Sequence, residues 1–245
     1  MEPRKFNELK PKVVLGIAAH PDDLDFGASG SMARWARDGA KCYYVLCTDG
    51  SKGSDDPNLT SADLIRIRKD EQEKAAKILG LEKVFYLDHE DGLLENTIEL
   101  KRQLVRIIRE VKPDVMVTMD PSTLYMPEQG YINHPDHRAA SQAALDAIFP
   151  LSRDRLSFPE LAAAGYAAHK TPTVLLMSFG RGSNFWVDIS ETLEQKLAAL
   201  KAHDSQGAGS EETQAMVASW TAQAGQEHGK MKHAEGFIRL DVDAR

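Results

Sequence analysis

The sequence predicts an α/β fold: a Rossmann-like, mostly parallel sheet with helices on both faces. Three observations carry this reading. Short runs such as Val13-Val14-Leu15-Gly16-Ile17-Ala18 are apolar throughout, as strands buried on both faces must be. Helical patterns separate these runs, and a parallel pair of strands needs such a crossover. The chain has 245 residues, enough for one large domain with an ample core.

The elements follow in order. Residues 12–19 read as the first strand, 27–38 as a helix and 41–47 as the second strand. Residues 48–54 are a glycine- and serine-rich loop. Thr60 or Ser61 caps a helix that runs to Leu79 and stops at Gly80. A short strand spans 83–87, and 95–111 is an amphipathic helix with Leu100, Leu104, Ile107, Ile108 and Val111 on one face. Another buried strand spans 114–119. The segment 120–133 has neither period and reads as a long loop, and a helix follows over 135–148. Residues 149–171 read as irregular or weakly helical. Strands are expected over 173–179 and 185–187, and a helix capped by Ser190 over 189–203. Beyond Gly207 the chain is polar and helical up to Gly236, with a final strand over 237–240. The whole, 1–245, is expected to form one domain with its core over about 12–206 and a peripheral tail, 207–245.

Composition excludes several classes of function. The net charge of -7 offers no basic footprint for nucleic acid. No apolar run approaches the roughly 20 residues that span a bilayer, and Met1 to Lys5 leads into no secretory apolar segment. Cys42 and Cys47 stand five apart on one strand, so they point to opposite faces and cannot bridge. Buried free thiols of this kind point to a reducing cytoplasm. A homo-oligomer is left open.

The chemistry concentrates in two motifs. Ala19-His20-Pro21-Asp22-Asp23 leaves the first strand, at the edge where open α/β sheets bind ligands. His134-Pro135-Asp136-His137 opens the helix after the long loop, with both histidines on one helix face. Taken alone, the aspartate pair is a helix cap and the second motif a solvated helix start. Together they hold the parts of a mononuclear metal hydrolase. His20 with one aspartate, and one histidine of the second motif, supply three ligands; the other aspartate and histidine stay free for catalysis.

These residues resemble the PIG-L/LmbE-like zinc deacetylases. The resemblance runs from about Val13 to Gln206 and includes Arg68-x-x-Glu71, Leu79-Gly80, Asp91-Gly92, Pro113-Asp114 and His203-x-Ser205-Gln206. Two departures stand out: Ser29-Gly30-Ser31 where the family often has Gly-Gly-Thr, and Leu24 where it often has an acid. Neither removes a ligand. The resemblance implies an LmbE-like fold and one zinc ion (Zn2+) per chain on His20, Asp23 and His137. It implies Asp22 as general base and His134 as oxyanion stabiliser or acid. Asp136 then stands behind the ligands and fixes a histidine tautomer, or simply matches the positive end of its helix. The implied substrate is an acetylated amino sugar, a conjugate of N-acetylglucosamine.

For substrate contacts the sequence offers Arg68, Tyr131 and Asp120, with Asp91 and Asn133 close by. The plainer role for Arg68 is an ion pair with Glu71 or Asp70. Tyr125 is expected to gate the site or to pack, and His203 to lie near it or to match a helix C-terminus. His89, His169, His228 and His233 receive no role. Two rival readings are a deacylase of longer acyl groups or non-sugar amines, and a non-catalytic binding module. A nucleotide-binding module is disfavoured because no G-x-G-x-x-G follows the first strand.

Overall fold

The computed structural model describes residues 8–127, 130–178, 182–228 and 231–242. The first strand, β1 (Val13–Ala18), leads into two short helices, α1 (Asp23–Gly27) and α2 (Ser29–Arg37), where one helix over 27–38 was expected. The break falls at Ala28, whose φ of -145° leaves the helical region. After it Gly30 packs so tightly on Ile189 that a Cβ would lie 2.8 Å from that side chain.

Next come β2 (Lys41–Thr48) and α3 (Ser61–Leu79). A reciprocal box between Thr60 and Asp63 starts α3, and Gly80, at φ 74°, stops it. They are followed by β3 (Lys83–His89), α4 (Ile98–Val111) and β4 (Val115–Met119). The segment expected to be a bare loop carries a small hairpin, β5 (Tyr125–Met126) with β6 (Tyr131–Ile132). Then come α5 (Pro135–Asp146), α6 (Pro159–Ala163), β7 (Thr173–Met177) and β8 (Phe185–Asp188). Phe179, the expected end of β7, lies outside the described residues. The helix α7 (Leu193–Lys201) begins after Thr192 rather than Ser190, whose hydroxyl instead donates to Asp188 Oδ1 at 2.6 Å. The chain closes with α8 (Glu211–His228) and β9 (Ala234–Asp241).

The large sheet runs β3-β2-β1-β4-β7-β9-β8. Its first five strands are parallel; β9 runs antiparallel to both β7 and β8. Val14 and Ala18 of β1 face one apolar layer with α2, α3 and α7, while Leu15 and Ile17 face the other with α4 and α5. Cys42 and Cys47 divide the same way and are both free. The strand order reverses between β1 and β4, so the loops leaving these two strands border one crevice, the place where such sheets bind ligands.

The expectation of a peripheral tail over 207–245 is corrected here. β9 lies inside the sheet between β7 and β8, with Phe237 fully buried. Glu235 of the same strand accepts the backbone N–H groups of Gly30 and Ser31 and pairs with buried Lys196 at 2.7 Å. Among the described residues, no helix is long and apolar enough to cross a membrane.

Candidate metal centre

The loop leaving β1 is tied to itself by Asp23. Its Oδ2 accepts the backbone N–H groups of Ala19 and His20 at 3.2 and 2.8 Å. Asp22 sits in the left-handed region, at φ 87° and ψ -29°, which costs a non-glycine residue about 1 kcal/mol or more. Two side chains of α3 hold it there. Gln72 Oε1 accepts the Asp22 N–H at 3.2 Å, and Arg68 Nη2 donates to Pro21 O at 2.9 Å. The Asp22 carboxylate makes no cap bond to α1, so the capping role does not occupy it. Its charged neighbour is Arg68, at 3.7 Å.

The second motif leaves β4 through the small hairpin. His134 caps α5: its Nδ1 accepts the Asp136 N–H at 3.2 Å, and Pro135 fills the first turn. That acceptor role leaves the ring proton of neutral His134 on Nε2. One turn later His137 faces the first motif.

The two motifs meet on Asp23. His137 Nε2 lies 3.1 Å from Asp23 Oδ1, and His20 Nδ1 lies 3.5 Å from Asp23 Oδ2. The other nitrogen of each ring is tethered. His20 Nε2 is 3.2 Å from both Asp136 Oδ2 and Asp91 Oδ1, and His137 Nδ1 is 3.1 Å from Asn133 Oδ1. Asp136, fully buried, also accepts the N–H groups of Gly92 at 2.6 Å and Leu94 at 3.1 Å. Asp91 Oδ2 accepts the Lys52 N–H at 3.1 Å. The ring centroids of His20, His134 and His137 lie 4.8 to 5.3 Å apart. Two groupings bring enough donor atoms together for a metal ion: His20 with His134 and His137, and His20 with Asp91, His134 and Asp136.

The electrostatics show a site rich in negative charge. Burial opposes a charge on His20, yet Asp23, Asp136 and Asp91 push its pKa up to about 12. Burial also opposes ionisation of Asp23, but His137 and His20 hold it well below the usual carboxylate range. Asp22 is pushed up to about 7 by burial and by the charge of Asp23, against the pull of Arg68. His134 is lowered by burial and by the neighbouring charge of His20. Three carboxylates around one buried imidazole form a setting that a divalent cation balances.

The remaining candidates fall in different places. Arg68 is buried beneath the first motif, and its guanidinium donates to Pro21 O at 2.9 Å and, less closely, to the carbonyls of Gly50 and Lys52. Its expected partner Glu71 instead accepts from the backbone N–H and hydroxyl of Ser205, at 2.8 and 2.7 Å. The structure thus places Arg68 as a support of the loop that carries Asp22, with Glu71 turned to Ser205 rather than to Arg68. Tyr131 and Asp120 line a cavity beside the imidazoles, and the Tyr131 hydroxyl donates to Asn133 Oδ1 at 3.2 Å. Tyr125 is exposed on the hairpin. His203 is fully buried, 2.8 Å from Asp25 Oδ2.

Sequence reasoning missed Asp25, which gathers His203, Gln72 and Tyr44. Asp91 and Asn133, which the sequence offers close to the substrate, hold the rings of His20 and His137. A signal existed for Asp25: it is the acid next to Leu24, where one was sought.

Comparison with known proteins gives a consistent result. The sequence pattern of the family described as PIG-L, GlcNAc-PI de-N-acetylase, matches residues 15–148. The diacetylchitobiose deacetylase of Thermococcus kodakarensis is 33% identical over 201 residues, 82% of this chain and 72% of that protein. The 1D-myo-inositol 2-acetamido-2-deoxy-alpha-D-glucopyranoside deacetylase of Thermomonospora curvata is 30% identical over 79% of this chain and 80% of its own. Among solved structures, the N,N'-diacetylchitobiose deacetylase of Pyrococcus horikoshii superposes with a TM-score of 0.84. It is 28% identical and covers 94% of this chain and 84% of its own.

Proposed function

The chain belongs to the PIG-L family of GlcNAc-PI de-N-acetylases, and we propose that it removes the N-acetyl group of an N-acetylglucosamine conjugate at one zinc ion held by His20, Asp23 and His137. The observation that carries this reading is the convergence of both motifs on the Asp23 carboxylate, at 3.1 and 3.5 Å. Each Asp23–histidine contact is close to the separation of about 3.4 Å between ligand atoms at a tetrahedral zinc, while the donor groupings that the described residues bring together hold His134 and not Asp23. The tethers fit as well. Asp136 and Asp91 behind His20, and Asn133 behind His137, orient the rings in the way that metal-binding histidines need. Relatives whose names specify N-acetylglucosamine-type substrates support the substrate class.

Bound zinc polarises an acetamide carbonyl and brings the pKa of water to about 7. The chain's own groups do the rest. Asp22 takes the proton of the attacking water, its carboxylate untied by α1 and its loop braced by Arg68 and Gln72. His134 stands at the mouth with its side chain 40% exposed and its Nε2–H free of the cap bond. From there it donates to the carbonyl oxygen as negative charge develops. The C–N bond breaks, the proton passes to the leaving nitrogen, and the products are a primary amine and acetate. Buried, unbridged Cys42 and Cys47 support a reducing compartment, the cytoplasm.

The test is release of amine from N-acetyl and N-butyryl forms of one glucosamine conjugate. The reading requires faster release from the acetyl form. Faster release from the butyryl form transfers the assignment to a broader deacylase.

A further inference from the structure

Asp25, on α1, is fully buried and held from several sides. Its Oδ2 accepts from Gln72 Nε2 at 3.0 Å and lies 2.8 Å from His203 Nε2. The Tyr44 hydroxyl donates to its Oδ1 at 3.4 Å. Its backbone is fixed as well: Asp25 O accepts from Lys196 Nζ at 2.9 Å and from the Ser29 hydroxyl at 2.7 Å. The other ring nitrogen of His203, Nδ1, is buried without a partner among the described residues, so the hydrogen bond of that ring goes to Asp25. Neither Asp25, Gln72 nor His203 is among the donor groups that meet at the imidazoles.

The Asp25 carboxylate decides how the Gln72 amide is turned. An amide has one accepting end and one donating end. Asp25 Oδ2 accepts, so the NH2 end of Gln72 faces it. The carbonyl end is thereby turned to the first motif, where Oε1 accepts the Asp22 N–H at 3.2 Å. The opposite turn would set the Gln72 NH2 group against the Asp22 N–H, two donors face to face. That N–H belongs to a residue at φ 87°, a conformation that an aspartate keeps only where its surroundings impose it. Arg68 Nη2 donates to Pro21 O at 2.9 Å, so Arg68 and Gln72 hold the two polar ends of one peptide, the one that joins Pro21 to Asp22.

We propose that Asp25 and Gln72 are positioning residues for the general base: Asp25 sets the turn of the Gln72 amide, and the Gln72 carbonyl oxygen holds the Pro21–Asp22 peptide so that the Asp22 carboxylate stays aimed at the attacking water. The inference rests on the deacetylase reading above, which makes Asp22 the base. The Asp22 side chain makes no cap bond to α1 that could hold it in place of this relay. A misplacement of about 1 Å at a reacting group lowers a rate by as much as about 100-fold. Asp25, Gln72 and His203 are all buried beneath the loop, away from where a substrate docks. Loss of the relay therefore lowers kcat and kcat/KM together and leaves KM in place.

The test follows kcat, KM, zinc content and thermal melting in zinc-loaded Gln72→Met, Asp25→Leu and Asp25→Asn, each alone and combined with Asp22→Asn. The substrate is one N-acetylglucosamine conjugate that wild type turns over. Methionine and leucine keep the bulk and remove the bonds. Asparagine keeps an oxygen for Gln72 and His203 and turns its NH2 group to the Tyr44 oxygen. Gln72→Met and Asp25→Leu are expected to lose about tenfold in kcat, with KM within about twofold and the zinc retained. Asp25→Asn is expected to recover most of that loss. In the Asp22→Asn background, where no base is left to position, Gln72→Met is expected to cost less than about twofold. An unchanged kcat in Gln72→Met overturns the relay. An equal loss in both Asp22 backgrounds, or a loss that follows zinc content, marks a general loosening of the site and overturns it too. Asp25→Asn as poor as Asp25→Leu overturns the role of Asp25. If Asp25→Leu does not fold, Gln72→Met and Asp25→Asn decide. Wild type that releases no acetate from any N-acetylglucosamine conjugate overturns the deacetylase reading, and the relay with it.

Discussion

Asp136 Oδ2 lies 3.2 Å from His20 Nε2, across 116 residues of sequence. The same buried carboxylate accepts the N–H groups of Gly92 and Leu94, in the turn that carries Asp91. The backbone N–H of Asp136 caps onto His134. One side chain and its own peptide therefore set the His20 ring, the Asp91 turn and the His134 tautomer together.

If Asp136 orients His20 for a metal, Asp136→Asn weakens binding without removing a ligand. The expected loss of zinc affinity is about 10- to 100-fold, the usual effect of such tethers. Competition against a chromophoric chelator measures it. An unchanged affinity would assign the orienting role to Asp91 alone.

Asp22→Asn is nearly isosteric and keeps the N–H that Gln72 holds. It is expected to retain one zinc per chain and to lose roughly two to four orders of magnitude in kcat, the contribution of a general base. Single-turnover acetate release beside elemental analysis checks both halves. Near-normal turnover would exclude Asp22 as the base.

The buried pair His203–Asp25 makes stability depend on pH. Burial alone would lower the His203 pKa, but its hydrogen bond to Asp25 and the charge of Asp25 raise it above the ordinary value. The folded pKa thus exceeds the unfolded one of about 6.5. The stabilisation is complete below about pH 6.5 and is lost as pH rises through the raised folded value. The Tm difference between wild type and His203→Gln should be larger at about pH 6 than at about pH 9. An equal difference would mean that the pair contributes no charge-dependent stability.

Glu235→Ala leaves Lys196 buried without its carboxylate and strips Gly30 and Ser31 of their acceptor. The expected destabilisation is about 3–5 kcal/mol, the range for breaking a buried pair. Lys196→Met in the same background should restore part of it, giving a non-additive cycle in urea unfolding. A change below about 0.5 kcal/mol would mean that β9 is not integral to the fold.

The legibility of the sequence follows the range of the interactions. Thr60 and Gly80 announce the ends of α3 because capping is local. The two histidine motifs were readable because each packs its groups into a few residues at a strand-to-helix edge. That Asp91 and Asn133 hold His20 and His137 was not legible, because these partners are fixed by the fold or sit on the far side of a turn. The left-handed turn at Asp22 has no glycine to announce it; Gln72 and Arg68, far along the chain, hold it. The helix α8 was legible as a polar helical stretch, but its packing was not, because its buried stripe is Val217, Thr221 and Gly225, one residue per turn and barely apolar. Gly225 is required there: a Cβ would fall 2.5 Å from the carbonyl oxygen of Met231. β9 was legible as a strand, but its place between β7 and β8 was not, because long-range pairing is not encoded in local periodicity.

The central claim is that this chain deacetylates an N-acetylglucosamine conjugate only with one metal ion held at the meeting of the two motifs. Acetate release by chelator-stripped protein, titrated with zinc, tests it most directly. The account predicts no acetate without metal and a rise that breaks at about one equivalent per chain. Acetate release that is independent of metal, or none at any zinc concentration, would contradict it.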